Sequence, residues 1–170
     1  MKNVFVISVL TLTVVLTAGT PAFALPQGEQ VQSGQATFDR SQSDVLNIHQ
    51  SSDKMIADYQ GFSIAGHEAV NFLQPSSSSI ALNRVVGADP SNIFGTLTAT
   101  GKIFLINPNG VLFGPSAHVD THGLVASTLN ITNDDFLNGN YRFNNPGGNV
   151  LNQGRINAPG SYVALLGKIV

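Results

Sequence analysis

Cysteine is missing from all 170 residues. That excludes a thiol nucleophile, a disulfide framework and any cysteine-based zinc site. Packing alone must hold such a chain together. Charge is sparse as well: Asp, Glu, Lys and Arg make up 11% of the residues, and the formal net charge is −2. The eight Lys and Arg residues are scattered, so the basic cluster that nucleic-acid binding requires does not form. Apolar residues reach 42%, which is too many for a disordered tail and too few for a multispanning membrane protein. No Gly-x-Ser-x-Gly elbow is present to expose a nucleophilic serine. Gly147-Gly148 lacks the Lys and Ser/Thr that would complete a phosphate-binding loop. The length suits one domain.

What is present begins with a targeting signal. Lys2 is followed by an apolar run over residues 4–16, broken only by Ser8, Thr11 and Thr13. Pro21-Ala22-Phe23-Ala24 then ends in the small-residue Ala-x-Ala pattern of a signal-peptidase site. The run is shorter than the ~20 residues that span a bilayer. Residues 1–24 therefore read as a signal peptide, with cleavage after Ala24. Losing Lys2 takes the net charge from −2 to −3. The mature chain, residues 25–170, carries no membrane-spanning segment.

The mature chain reads as all-β. Short runs rich in Val, Ile, Phe and Thr alternate with Asn, Gly and Ser. Val45-Leu46-Asn47-Ile48-His49 and Ala69-Val70-Asn71-Phe72-Leu73 alternate as half-buried strands do. A repeat accompanies them. Ser79-Ile80-Ala81-Leu82, Gly101-Lys102-Ile103-Phe104 and Gly123-Leu124-Val125-Ala126 follow one another at 22-residue steps. The same step pairs Leu97 with Val119 and stacks Ala81, Ile103 and Val125 in one apolar column. A fixed offset with strands in every unit predicts a β-solenoid of about 22 residues per coil; two packed sheets give a similar pattern.

The period breaks after Ile131. Residues 132–147 are polar, and Val125-Ala126 meets its next counterpart at Val163-Ala164. One loop or hairpin outside the coil accounts for the gap, and Asp134-Asp135 suits the start of a short helical turn. Residues 149–170 read as one more coil. It ends on apolar residues with no polar cap, which is the expectation for a domain truncated at its C-terminal end.

Candidate chemistry is thin. His118, Asp120 and His122 share one face of a strand, so two imidazoles and a carboxylate are the best metal candidate. Val119 between them belongs in the core, which favours a solvated face, so no metal or cofactor is expected. Asp53 and Asp58 beside Lys54 read as surface charges. A polysaccharide-active enzyme is an alternative, but it rests on fold analogy alone.

One stretch is turn chemistry in full. In Asn107-Pro108-Asn109-Gly110, proline presets φ for the second position, asparagine tolerates the third and glycine takes positive φ at the fourth. Its context is specific. "ALNRVVGADPSNIFGTLTATGKIFLINPNGVLFGPSAHVDTHGLVASTLNI", residues 81–131, resembles the conserved centre of the secretion domain of filamentous haemagglutinin-type exoproteins, the passengers of two-partner secretion. Residues 34–85 resemble the segment preceding that centre, and "YVALLG", residues 162–167, extends the likeness. Asn107, Pro108, Asn109 and Gly110 match the family's turn motif; Asn83 and Arg84 match the run upstream. His118, Asp120 and His122 stand where family members often carry small or polar residues.

The resemblance implies a right-handed parallel β-helix with an N-terminal cap. It also implies export through the periplasm and recognition by an outer-membrane transporter with periplasmic domains ahead of a β-barrel. Folding would then start outside the cell, and the protein would be secreted or held at the cell surface. The reading is of a non-enzymatic module; a stand-alone surface adhesin is a further alternative.

Overall fold

The computed structural model describes residues 25–145 and 147–170; the expected signal peptide lies outside them. Among the described residues are fifteen strands and one short helix. They wind into a β-solenoid with three faces. The first face carries β1 (Gln30–Ser33), β4 (Lys54–Tyr59), β6 (Ile80–Val85), β9 (Lys102–Ile106), β12 (Gly123–Ser127) and β15 (Val163–Leu166). The second carries β2 (Ala36–Gln42), β3 (Val45–Gln50), β5 (Ala69–Leu73), β8 (Thr96–Ala99), β11 (His118–Asp120) and β14 (Arg155–Asn157). The third carries β7 (Ser91–Ile93), β10 (Val111–Phe113) and β13 (Val150–Asn152). Three full circuits follow: β5-β6-β7, β8-β9-β10 and β11-β12-β13. From β3 onward every strand pair is parallel.

The cap is antiparallel. β1 pairs with β4, β2 with β3, and Gln27 bridges Gly61 below the third face. All three faces are thus covered at this end, where bare strand edges would invite pairing with other chains. Tyr59 lies buried under the cap, edge-on to Phe38 and Phe62. Its hydroxyl has no partner among the described residues, and burial pushes its ionisation far above the usual range.

The repeat is real but its step varies. Leu97 faces Val119, and Ala81 faces Ile103, 22 residues on as the period requires. Ile103, however, faces Leu124, not Val125. The corner from β11 to β12 is one residue shorter than the corner from β8 to β9: Thr98 to Lys102 becomes Asp120 to Gly123. A one-residue slip reverses the faces of a strand. The inner column is therefore Ala81, Ile103 and Leu124, while Val125 stacks on Phe104 and Leu82 outside. The same shift places Val125 opposite Ala164.

β6, β9 and β12 are buried on both sides, as strands in covered parallel sheets are. The inner side forms the solenoid core with Leu46, Val70, Leu97 and Val119. The outer side is covered by the segment that leaves the coil after β12. That segment is not a solvated loop. It carries helix α1 (Asn133–Leu137), capped by the Thr132 hydroxyl, which accepts from the Asp135 amide at 3.1 Å. Phe136, fully buried, packs on Phe104, and Tyr141 and Phe143 meet the same ring. With Ile56, Ile80, Leu82, Ile106, Val125 and Ile131 they make a second apolar cluster outside the coil.

If this second cluster is part of the cooperative fold, Phe136→Ala costs about 3–5 kcal/mol. Urea unfolding checks this: the midpoint falls, whereas an unchanged midpoint would make the segment an independent loop.

Candidate functional site

The motif residues meet at one edge of the solenoid, where the first face turns into the third. Residues 107–110 form this corner between β9 and β10. The Gly110 amide donates to the Asn107 carbonyl at 3.1 Å and closes the turn. Gly110 has φ 130°, a conformation that favours glycine.

Asn107 is fully buried, and its side chain is used in full. Its Nδ2 donates to the Asp89 carbonyl and to Ser91 Oγ, both at 3.0 Å. Its Oδ1 accepts from the Asn109 amide at 3.0 Å. Its backbone amide donates to Ser127 on the next circuit at 2.9 Å. One residue thus ties together three successive circuits. Asn109 adds a lighter tie from the exposed surface: Nδ2 donates to the Gly87 carbonyl at 2.9 Å. Above the turn, the Gly148 amide donates to the Pro108 carbonyl at 2.8 Å. A Cβ on Gly147 would stand 2.2 Å from that same oxygen, so glycine is required by close approach. Only Pro108 and Asn109 of the turn are exposed.

The upstream pair divides between the two sides of β6. Asn83 points into the solenoid and is fully buried. Its Nδ2 donates to the Ala81 and Phe104 carbonyls at 3.3 Å, and its Oδ1 has no partner among the described residues. Arg84 points outward and fastens the excursion. Its guanidinium donates to Asn130 Oδ1 at 3.2 Å, the Ile131 carbonyl at 2.9 Å and Asn133 Oδ1 at 2.9 Å. It also pairs with Asp58 Oδ1 at 3.1 Å, with both side chains largely shielded. Asp58 is therefore the partner of Arg84 and not a free surface charge beside Lys54.

The remaining candidates do not join this corner. His118 and Asp120 lie exposed on the second face, and His122 lies at the next corner. Asp120 instead accepts from Asn157 Nδ2 at 3.0 Å. Among the described residues, no three His, Asp or Glu side chains gather so as to hold a metal ion. Asp120 belongs to a polar column that sequence reasoning missed: Asn47, Asn71, Thr98, Asp120 and Asn157 face one another in register. Asn71 donates to Asn47 at 2.9 Å, and Thr98 donates to Asn71 at 2.7 Å. The 22-residue step joins only Thr98 and Asp120 in this column, so the period alone does not reveal it. The partners of Asn107 were also missed, as was that of Asn109, although Gly87 lies 22 residues before Asn109.

The geometry ranks the two asparagines. Asn107→Ala strands buried polar groups and costs about 2–4 kcal/mol, whereas Asn109→Ala costs under about 1 kcal/mol. Chemical denaturation of both variants checks the order; equal losses would contradict it.

Comparison with known proteins agrees with the coil. The family model of the TPS secretion domain matches residues 22–170. A heme/hemopexin-binding protein of Haemophilus influenzae is 34% identical over 141 residues. Another from H. influenzae strain ATCC 51907 / DSM 11121 / KW20 / Rd is 38% identical over 133. These matches cover 81% and 77% of this chain but only 15% and 14% of the relatives, so the chain spans a small part of their length. The crystal structure of the HMW1 secretion domain from H. influenzae aligns with a TM-score of 0.74 at 33% identity, covering 82% of this chain and 38% of that one. The chain belongs to the TPS secretion domain family, the secretion domains of two-partner secretion exoproteins.

Proposed function

We propose that this domain is the non-enzymatic docking and folding-start module of its exoprotein. It is recognised by an outer-membrane transporter whose periplasmic domains precede a β-barrel, and its coil nucleates folding outside the cell. The protein is thereby secreted or displayed at the cell surface. The observation that carries this reading is the closed cap on a parallel stack. The first circuit is covered on all three faces by β1, β2 and Gln27, and every later coil pairs in parallel with the one before it. Stacked coils gain stability from each neighbour, and a cap protects the edge from which they start.

The turn at residues 107–110 serves this function by holding the corner. Buried Asn107 and Gly110 are out of a partner's reach, so a transporter contact at this turn would fall on Pro108 and Asn109.

Secretion with and without the cognate transporter tests the assignment. The chain reaches the medium only when the transporter is co-expressed; retention in the periplasm with the transporter present would contradict it. Export falls with lost stability, so Asn107→Ala is impaired and Asn109→Ala is exported nearly as the wild type. A strong export defect in a normally folded Asn109→Ala variant would make the turn a contact site.

A further inference from the structure

The cap begins at the first residue after the Ala-x-Ala pattern. Leu25 is 7% exposed and joins the solenoid core; Pro26 is buried beside it. The Pro26 carbonyl accepts from Arg40 Nη2 at 2.7 Å, and the same nitrogen pairs with Glu29 at 2.9 Å. Gln27 is held on both sides of its peptide: its amide donates to Gly61 at 3.0 Å, and its carbonyl accepts from Gln60 at 2.9 Å. These contacts close the third face of the cap. No slack residue separates Ala24 from the first buried side chain.

A peptidase that cuts after Ala24 needs the chain extended and accessible on both sides of the scissile bond. Leu25 and Pro26 stand on the far side of that bond. They cannot lie in a protease cleft and in the cap at once. Hydrolysis adds water across the Ala24–Leu25 amide, leaving a carboxylate on Ala24 and an amine on Leu25.

We propose that signal-peptide cleavage requires an open cap, so that a precursor whose cap has already closed resists processing after Ala24. Cleavage while the N-terminal edge of the coil is open is followed by seating of Leu25, Pro26 and Gln27, which completes the third face of the cap. This rests on cleavage after Ala24, and the test separates the two claims.

The precursor, residues 1–170, is mixed with signal peptidase in detergent micelles, either freshly diluted from urea or after refolding verified by circular dichroism. Mass spectrometry identifies the product. The refolded precursor is cut about tenfold or more slowly, because only its transiently open form is a substrate. A six-residue Gly/Ser insert between Ala24 and Leu25 moves the bond about 20 Å from the cap and makes both preparations equally good substrates. Arg40→Ala, which frees the Pro26 carbonyl, gives an intermediate rate for the refolded precursor. A product starting at Leu25, released equally fast from both preparations, overturns the gate alone. Persistent protection of the refolded insert variant also overturns it, since the block would lie elsewhere. A product starting at another residue overturns the cleavage site and the gate together.

Discussion

The buried side chain of Asn107 is the constraint on which the corner depends. A β-solenoid must turn the chain at every corner, and each turn exposes backbone donors and acceptors that no ladder satisfies. At this corner one amide group meets the requirement for two circuits at once. It donates to Asp89 and Ser91 below and accepts from Asn109 within its own turn, while the backbone of Asn107 donates to Ser127 above. Pro108, Asn109 and Gly110 keep the turn tight enough for the Gly147-Gly148 backbone to pass over it. The order of the motif follows from this packing.

That corner also sets where the chain leaves the coil. The excursion departs after Ser127 and returns at Gly147, directly above the turn, and in between it folds back over the first face. Arg84 reaches across Ile106 to hold Asn130, Ile131 and Asn133. Phe136, Tyr141 and Phe143 cover Phe104. The result is two apolar clusters sharing one sheet, one inside the solenoid and one outside. Burial of both faces lets a domain without disulfides rest on packing. It also explains why β6, β9 and β12 lack a clean apolar–polar alternation.

Much of this is readable in the sequence. Residues 45–49 and 69–73 alternate clearly because their outer face is solvated, and they pair in the order their patterns suggest. The 22-residue step holds from β6 to β9 and from β8 to β11 and differs between the other stacked strands. Between Ile103 and Leu124 it is one residue short, and a shortened corner leaves no mark in the apolar pattern when both faces of a strand are apolar. The excursion reads as polar because buried Phe136 and the partly covered Tyr141 and Phe143 are spaced among Asn, Asp and Gly residues. Asn83 and Asp58 could not be placed from local pattern at all, since the partners of Asp58 and the burial of Asn83 are set by strands one circuit away. The corner motif was recognisable as a turn; the role of Asn107 in joining circuits was not.

The corner stack behaves as one cooperative unit centred on Asn107. Native-state hydrogen exchange distinguishes such a unit at the amides of Ser91, Asn107, Gly110, Val111 and Gly148, which all bond across or within the corner. In the wild type they share one opening free energy close to that of global unfolding, and Asn107→Ala lowers it for all five together. Faster exchange confined to Gly110, with Ser91 and Gly148 still protected, would contradict the account and reduce the motif to an isolated turn.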